Sequence, residues 1–182
     1  MTKVLIFVIV TVCLAFLSRR TFRYPNSHGF YRFFAAESIL ALIVVNASAW
    51  FREPFAPRQL VSWLLLFGSA VLAVHGFALL HRLGKPSGTK SGDADFSFEK
   101  TTTLIRSGAY KYIRHPLYAS LLLLTWGAFL KNVKFIVLLL AACATAFLVA
   151  TALAEEKENL ARFGEEYAEY MKTTKRFVPF VM

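Results

Sequence analysis

The chain has 182 residues, 57% of them hydrophobic and 15% aromatic, with a mean hydropathy of +0.51. That is too apolar for a soluble domain of this size, so the class is a polytopic membrane protein with length for one compact domain. The formal charge is +10, yet no basic run falls on a soluble face, which excludes nucleic acid as a partner.

Five apolar segments succeed one another along the chain. The first runs roughly over residues 4–17 and ends at Ser18-Arg19-Arg20. It has the short apolar core of a signal peptide, but the charge after it exceeds the charge before it and no small-x-small site precedes Arg19, so it reads as a retained helix. The second, roughly 33–51, carries Glu37 and Asn46, which are costly to turn towards lipid. The third, roughly 59–83, carries His75 and His81, whose separation of six does not put them on one helix face as a metal pair would require. Cys13 and Cys143 sit inside apolar segments and read as small apolar residues, so neither a disulfide nor a metal framework is expected. Lys85 to Lys100, KPSGTKSGDADFSFEK, reads as either a lid or a plain solvated loop.

The fourth segment starts at Pro116 and runs to about Leu130; the fifth begins near Val133 and stays apolar to Leu153. So short a connection makes an antiparallel hairpin. The fifth pattern continues through AEEKENLARF to Gly164, a C-cap candidate. At 1.5 Å per residue, residues 133–163 reach about 46 Å, longer than the ~30 Å hydrocarbon core, so the last turns project into water. Glu158 and Arg162 form an i, i+4 pair there, and the tail EEYAEYMKTTKRFVPF reads as lying along the interface.

With five spans, sixteen Lys and Arg residues fall on one side and five on the other. The positive-inside rule then predicts a cytoplasmic C-terminus, 84–114 loop and helix extension. The expected fold is all-α, a polytopic membrane protein with five transmembrane helices, the last two forming a hairpin and the last extending into the cytoplasm. Residues 1–182 form a single membrane domain: helices one to three in 1–83, a cytoplasmic linker in 84–114, and a catalytic hairpin with its tail in 115–182.

The densest polar stretch is LIRSGAYKYIRHPLYASLLLL, residues 104–124. Proline suits the first position of a helix, because its missing N–H would have no partner there. The amides of Leu117, Tyr118 and Ala119 are then unpaired within the helix and form an anion site, strengthened by Arg114. Tyr110, Tyr112 and Tyr118 offer faces for a base or a cation. The same residues also suit an interfacial anchor. The hairpin brings Glu155 and Glu156, with Tyr167 and Arg176 further out, to the same end. An anion site beside acidic residues fits a zwitterion with a cationic centre, and S-adenosyl-L-methionine is one.

GAYKYIRHPLY, then EE, then FGEEYAEYMKTTKRFVPF, resembles the integral-membrane methyltransferases of the isoprenylcysteine carboxyl methyltransferase and phospholipid methyltransferase group. The resemblance covers roughly 101–179 and rests on four elements in order at the family's spacing: Gly-x-Tyr, Arg-His-Pro-x-Tyr, Glu-Glu and Phe-Gly-x-x-Tyr. It implies an S-adenosyl-L-methionine pocket facing the cytoplasm, with cofactor contacts at Thr102, Thr103, Leu104, Ile105, Tyr110, His115, Pro116, Leu117, Tyr118 and Glu155. Arg114 and Glu156 are the catalytic candidates, Glu156 facing the acceptor or the 84–107 linker. The acceptor is a lipid or lipophilic small molecule arriving from the bilayer. No metal is implied.

Two departures stand out. Where prenylcysteine methyltransferases carry an Arg one turn before the Glu pair, this chain has Thr151, which weakens the case for a carboxylate acceptor. Ala119 and Ser120 stand where a Gly is often found. A membrane reductase of the sterol type, which uses NADPH and carries a similar Arg-His-Pro-x-Tyr segment, is the alternative reading. A scaffold or transporter subunit is the non-enzymatic one, set against polar residues clustered at one end rather than at the midplane.

Overall fold

The structure is a computed structural model that describes residues 1–84 and 103–179. The described residues form six α-helices: α1 (Thr2–Leu17), α2 (His28–Asn46), α3 (Pro57–Leu83), α4 (Pro116–Phe129), α5 (Phe135–Phe163) and α6 (Glu165–Thr173). Short 3-10 turns cover Thr21–Arg23, Ala47–Ala49 and Gly108–Lys111. Among these residues β-type pairing is limited to one parallel bridge between Ile113 and Lys175.

Helices α2 (with the turn after it), α3 and α5 are long and apolar enough to cross a membrane, while α1 and α4 are shorter apolar helices. The fourth helix has 14 residues, about 21 Å at 1.5 Å per residue, against a ~30 Å hydrocarbon core. The second helix starts at His28, five residues before the expected start. Ser27 caps it by accepting from the Phe30 amide at 3.3 Å, and a Ser ahead of an aromatic run is the signal for that start.

Polar side chains hold the helices together where hydrophobic burial has no grip, since lipid tails are as apolar as Leu. Ser62 Oγ donates to the Gly127 carbonyl at 2.6 Å, and Ser69 Oγ to that of Ser120 at 2.7 Å, tying α3 to α4. Asn46 Nδ2 donates to the Ala128 carbonyl at 2.8 Å, and Glu37 accepts from Thr11 Oγ1 at 2.7 Å. The two residues too polar for lipid thus turn inward to partners. Along α5 the stripe Val137, Ala141, Ala144, Leu148 and Ala152 is fully buried. Its small side chains let α2 approach closely, with Ala35 and Ile39 packed against it and Phe34 stacked on Phe147.

The tail forms a short helix with one buried edge, at Tyr167 and Tyr170, and charged residues exposed on the other. Gly164 ends α5 at φ 57°, ψ −131°, a conformation that disfavours any residue with a Cβ. The chain reverses there into α6, and residues 174–177 return to pack on the start of α4. Glu158 feels the charge of Arg162, as expected, and also accepts from the backbone N–H of His28 at 3.0 Å and lies against its ring, joining α5 to the start of α2.

Candidate active site

The site is built from the start of α4 outward. Pro116 opens the helix and His115 occupies the cap position. The residues just before it find backbone partners in the returning tail. Lys175 N–H donates to the Tyr112 carbonyl (3.0 Å), Arg114 N–H to that of Lys175 (2.7 Å), and His115 N–H to that of Arg176 (3.2 Å). This short strand-like pairing fixes a segment whose backbone would otherwise lack partners.

Glu156 lies at the centre, with its side chain 5% exposed. Oε1 accepts from Arg114 Nε at 2.9 Å and from Arg176 Nε at 3.1 Å; Oε2 accepts from Arg176 Nη2 at 2.8 Å. Arg114 also donates through Nη1 to the carbonyls of Thr174 (2.5 Å) and Met171 (3.3 Å). His115 Nε2 stands 3.4 Å from Glu156 Oε1, buried and without a hydrogen bond, while Nδ1 faces Glu155 at 3.8 Å. Its ring stacks on Tyr118 with 5.4 Å between centroids. Helix α6 contributes Tyr167 and Tyr170, both buried; Tyr170 Oη donates to the Tyr110 carbonyl at 2.6 Å.

These elements line a cavity of about 100 Å³ that is open at its mouth. Its wall contains Thr103, Leu104, Ile105, Tyr110, His115, Pro116, Leu117, Tyr118 and Glu155, together with Arg114. Thr102, like most of the 84–114 linker, lies outside the described residues. Tyr112 is half exposed and is not part of the wall. Glu156 is not part of the wall either: among the described residues its carboxylate is taken up by the guanidinium groups of Arg114 and Arg176. Arg114 reaches the cavity, but it is engaged with Glu156 and two carbonyls.

The wall also contains Leu80, Asn159, Phe163, Tyr167 and Tyr170. Asn159 and Phe163 come after Glu155 at i+4 and i+8, so the helical period alone puts all three on one stripe. Leu80 and Tyr170 carry no such signal.

Burial pushes the Tyr167 phenol from 10.0 up to about 12, against an Asn159 hydrogen bond and with the charges of Glu155 and Glu156 adding to the rise. Burial also raises Tyr170, with Tyr167 adding to it. The folded state therefore keeps these protons where the unfolded chain, with ordinary phenols, loses them. Stability should fall as pH rises from about 10 to about 12. The unfolding midpoint in detergent should drop across that window, and the drop should flatten in the Tyr167→Phe/Tyr170→Phe protein; an equal drop in that variant would assign it elsewhere.

A helical membrane protein with a cavity of mixed polar and apolar lining at one end, walled chiefly by the last hairpin, α6 and the segment ahead of α4, is the class that the fold and the site define. Residues 57–166, more than half of the chain, match the phospholipid methyltransferase family, and the chain belongs to that family. Over 72 residues the chain is also 32% identical to a protein named methanethiol S-methyltransferase from Crocosphaera subtropica. That match takes in 40% of this chain and 28% of the relative, so the chain spans well under a third of that relative's length.

Proposed function

We propose that this cavity binds S-adenosyl-L-methionine and that the protein transfers the methyl group to a lipophilic acceptor at the cytoplasmic membrane face. The observation that supports it most is the convergence on one cavity of nine residues that the family resemblance implies as cofactor contacts, Thr103 to Ile105, Tyr110, His115 to Tyr118 and Glu155. The chemistry of the wall suits the cofactor. The Ala119 amide, expected to be unpaired, donates to the His115 carbonyl at 2.9 Å, so it is the positive end of the α4 dipole, at the Leu117 end of the helix, that would hold the carboxylate. Glu155, its side chain 31% exposed, would hold the ammonium. The rings of Tyr110 and Tyr118 would pack on the base or the cationic centre.

The cofactor, when bound, supplies a methyl group already activated as a sulfonium. The chain's own residues therefore work by positioning and by excluding water. Phe163, Tyr167 and Tyr170 close one side of the cavity, and Arg114, Glu156 and Arg176 fix its frame.

The cavity offers no uncommitted cation to a carboxylate acceptor among the described residues of its wall. Arg114 is bound to Glu156 and two carbonyls, and Thr151, where an Arg would mark a prenylcysteine enzyme, is buried with Oγ1 donating to the Phe147 carbonyl at 2.7 Å. An amine or thiol acceptor fits better, in keeping with the family's description and the relative's name. A farnesylated cysteine carboxylate should be methylated poorly; efficient turnover of that analogue would overturn this part of the reading.

The charge split supports five spans with the cavity end in the cytoplasm. A reporter fused after Met182 should be active only in the cytoplasm, and activity only outside would reverse the topology. The function itself is tested by incubating the purified protein and membrane lipids with a methyl-labelled donor. Label should enter a lipid-soluble product. Binding of NADPH without binding of S-adenosylhomocysteine, in parallel titrations, would favour the reductase instead.

A further inference from the structure

His75 carries a polar ring on an apolar helix and plays no part in the contacts above. On α3 it faces the 3-10 turn Gly108–Lys111, and its Nε2 accepts from the Ala109 amide at 3.3 Å. An amide can only donate, so this bond uses the Nε2 lone pair and the tautomer with its proton on Nδ1. Gly108 is built for this approach. Its φ is 57°, and a Cβ there would lie 2.6 Å from Leu79 Cδ1 and 2.7 Å from His75 Nε2. A Cβ there would displace the ends of the Leu79 and His75 side chains, breaking the His75 contact, and the left-handed backbone independently disfavours one.

The turn carries part of the cavity wall. Tyr110 is 9% exposed and lines the cavity, as do Thr103, Leu104 and Ile105 just ahead of the turn. From the opposite side Tyr170 Oη holds the Tyr110 carbonyl at 2.6 Å. The turn is thus gripped between α3 and α6, one bond from each. The bond from α6 is short and buried; that from α3 is longer and lies at the edge.

We propose that His75 is a positioning residue that pins the Gly108–Lys111 turn to α3 and so sets Tyr110 and the 103–105 wall for ligand binding. This rests on reading the cavity as the methyl-donor site. His81, one further turn and a half along α3, stacks on Phe77 instead and makes no such bridge among the described residues.

The test compares His75→Leu, His75→Gln, Gly108→Ala and His81→Leu in the full chain in detergent. Backbone hydrogen exchange of the ligand-free protein reports the turn itself. Amides 109–112 should exchange about five- to tenfold faster in His75→Leu, the loss of one hydrogen bond, while those of α4 stay protected. His75→Gln keeps an acceptor and should recover most of the protection; Gly108→Ala should match His75→Leu; His81→Leu should match wild type. S-adenosylhomocysteine titration should give the same order, with a similar fold loss in affinity. Wild-type exchange at 109–112 in His75→Leu would overturn the inference, as would equal loss in the Leu and Gln variants. If exchange shows the expected order but the wild-type protein binds no S-adenosylhomocysteine, the pinning stands and the cofactor reading fails.

Discussion

Glu156→Leu should lower the stability of the protein by about 3–5 kcal/mol, because removing one member of a buried ion cluster leaves the others charged and unpaired. Arg114, with its side chain 8% exposed, loses its carboxylate partner, and Arg176, 26% exposed, loses two hydrogen bonds. Exposure of Arg176 to water moves the expected loss to the lower part of that range. The tail residues 174–177 should then come away from the start of α4, since Arg176 loses its anchor and Arg114 also holds the carbonyls of Met171 and Thr174. Thermal unfolding in detergent and limited proteolysis near the C-terminus measure both effects. An unchanged midpoint with an intact tail would show that the cluster is not what holds the cavity together. Glu156→Gln should lie between, keeping shape but losing charge.

Glu155→Gln should behave in the opposite way. Its side chain lines the cavity, 31% exposed, and contributes little to the frame. A charge-assisted hydrogen bond to the cofactor ammonium is worth roughly 1.5–3 kcal/mol, so affinity should fall about ten- to a hundredfold, nearer ten because the group is partly solvated. The unfolding midpoint should not move. Titration of both Gln variants with S-adenosylhomocysteine separates the two neighbours. Full affinity in folded Glu155→Gln would remove that carboxylate from the proposed ammonium site.

The contrast between Glu155 and Glu156 illustrates what the sequence carries and what it does not. Adjacent residues on a helix point about 100° apart, so a Glu-Glu pair must divide between two environments, and it is the family resemblance that implies Glu155 as the one facing the cavity. That Glu156 is the buried partner of Arg176, twenty residues on, depends on the reversal at Gly164. Local pattern offers no measure of such a reversal. The start of α4 at Pro116 is legible because proline and an apolar run coincide there. The start of α2 is legible only through Ser27, a cap that precedes the apolar run by several residues. Polar residues inside apolar segments are legible as needing partners, as Glu37 and Asn46 show, but not which partners. His75 stays silent because its role lies in a bond to a backbone amide 34 residues away.

If the cavity between α4, α5 and α6 holds the methyl donor, that donor should be found against its wall. Ultraviolet cross-linking of methyl-labelled S-adenosyl-L-methionine to the detergent-solubilised protein, with peptide mapping afterwards, tests this most directly. The label should fall within residues 103–118 and 155–170, should be displaced by S-adenosylhomocysteine and not by NADPH, and should weaken in Glu155→Gln. Label confined to α1 and α2, or displaced by NADPH alone, would contradict the account.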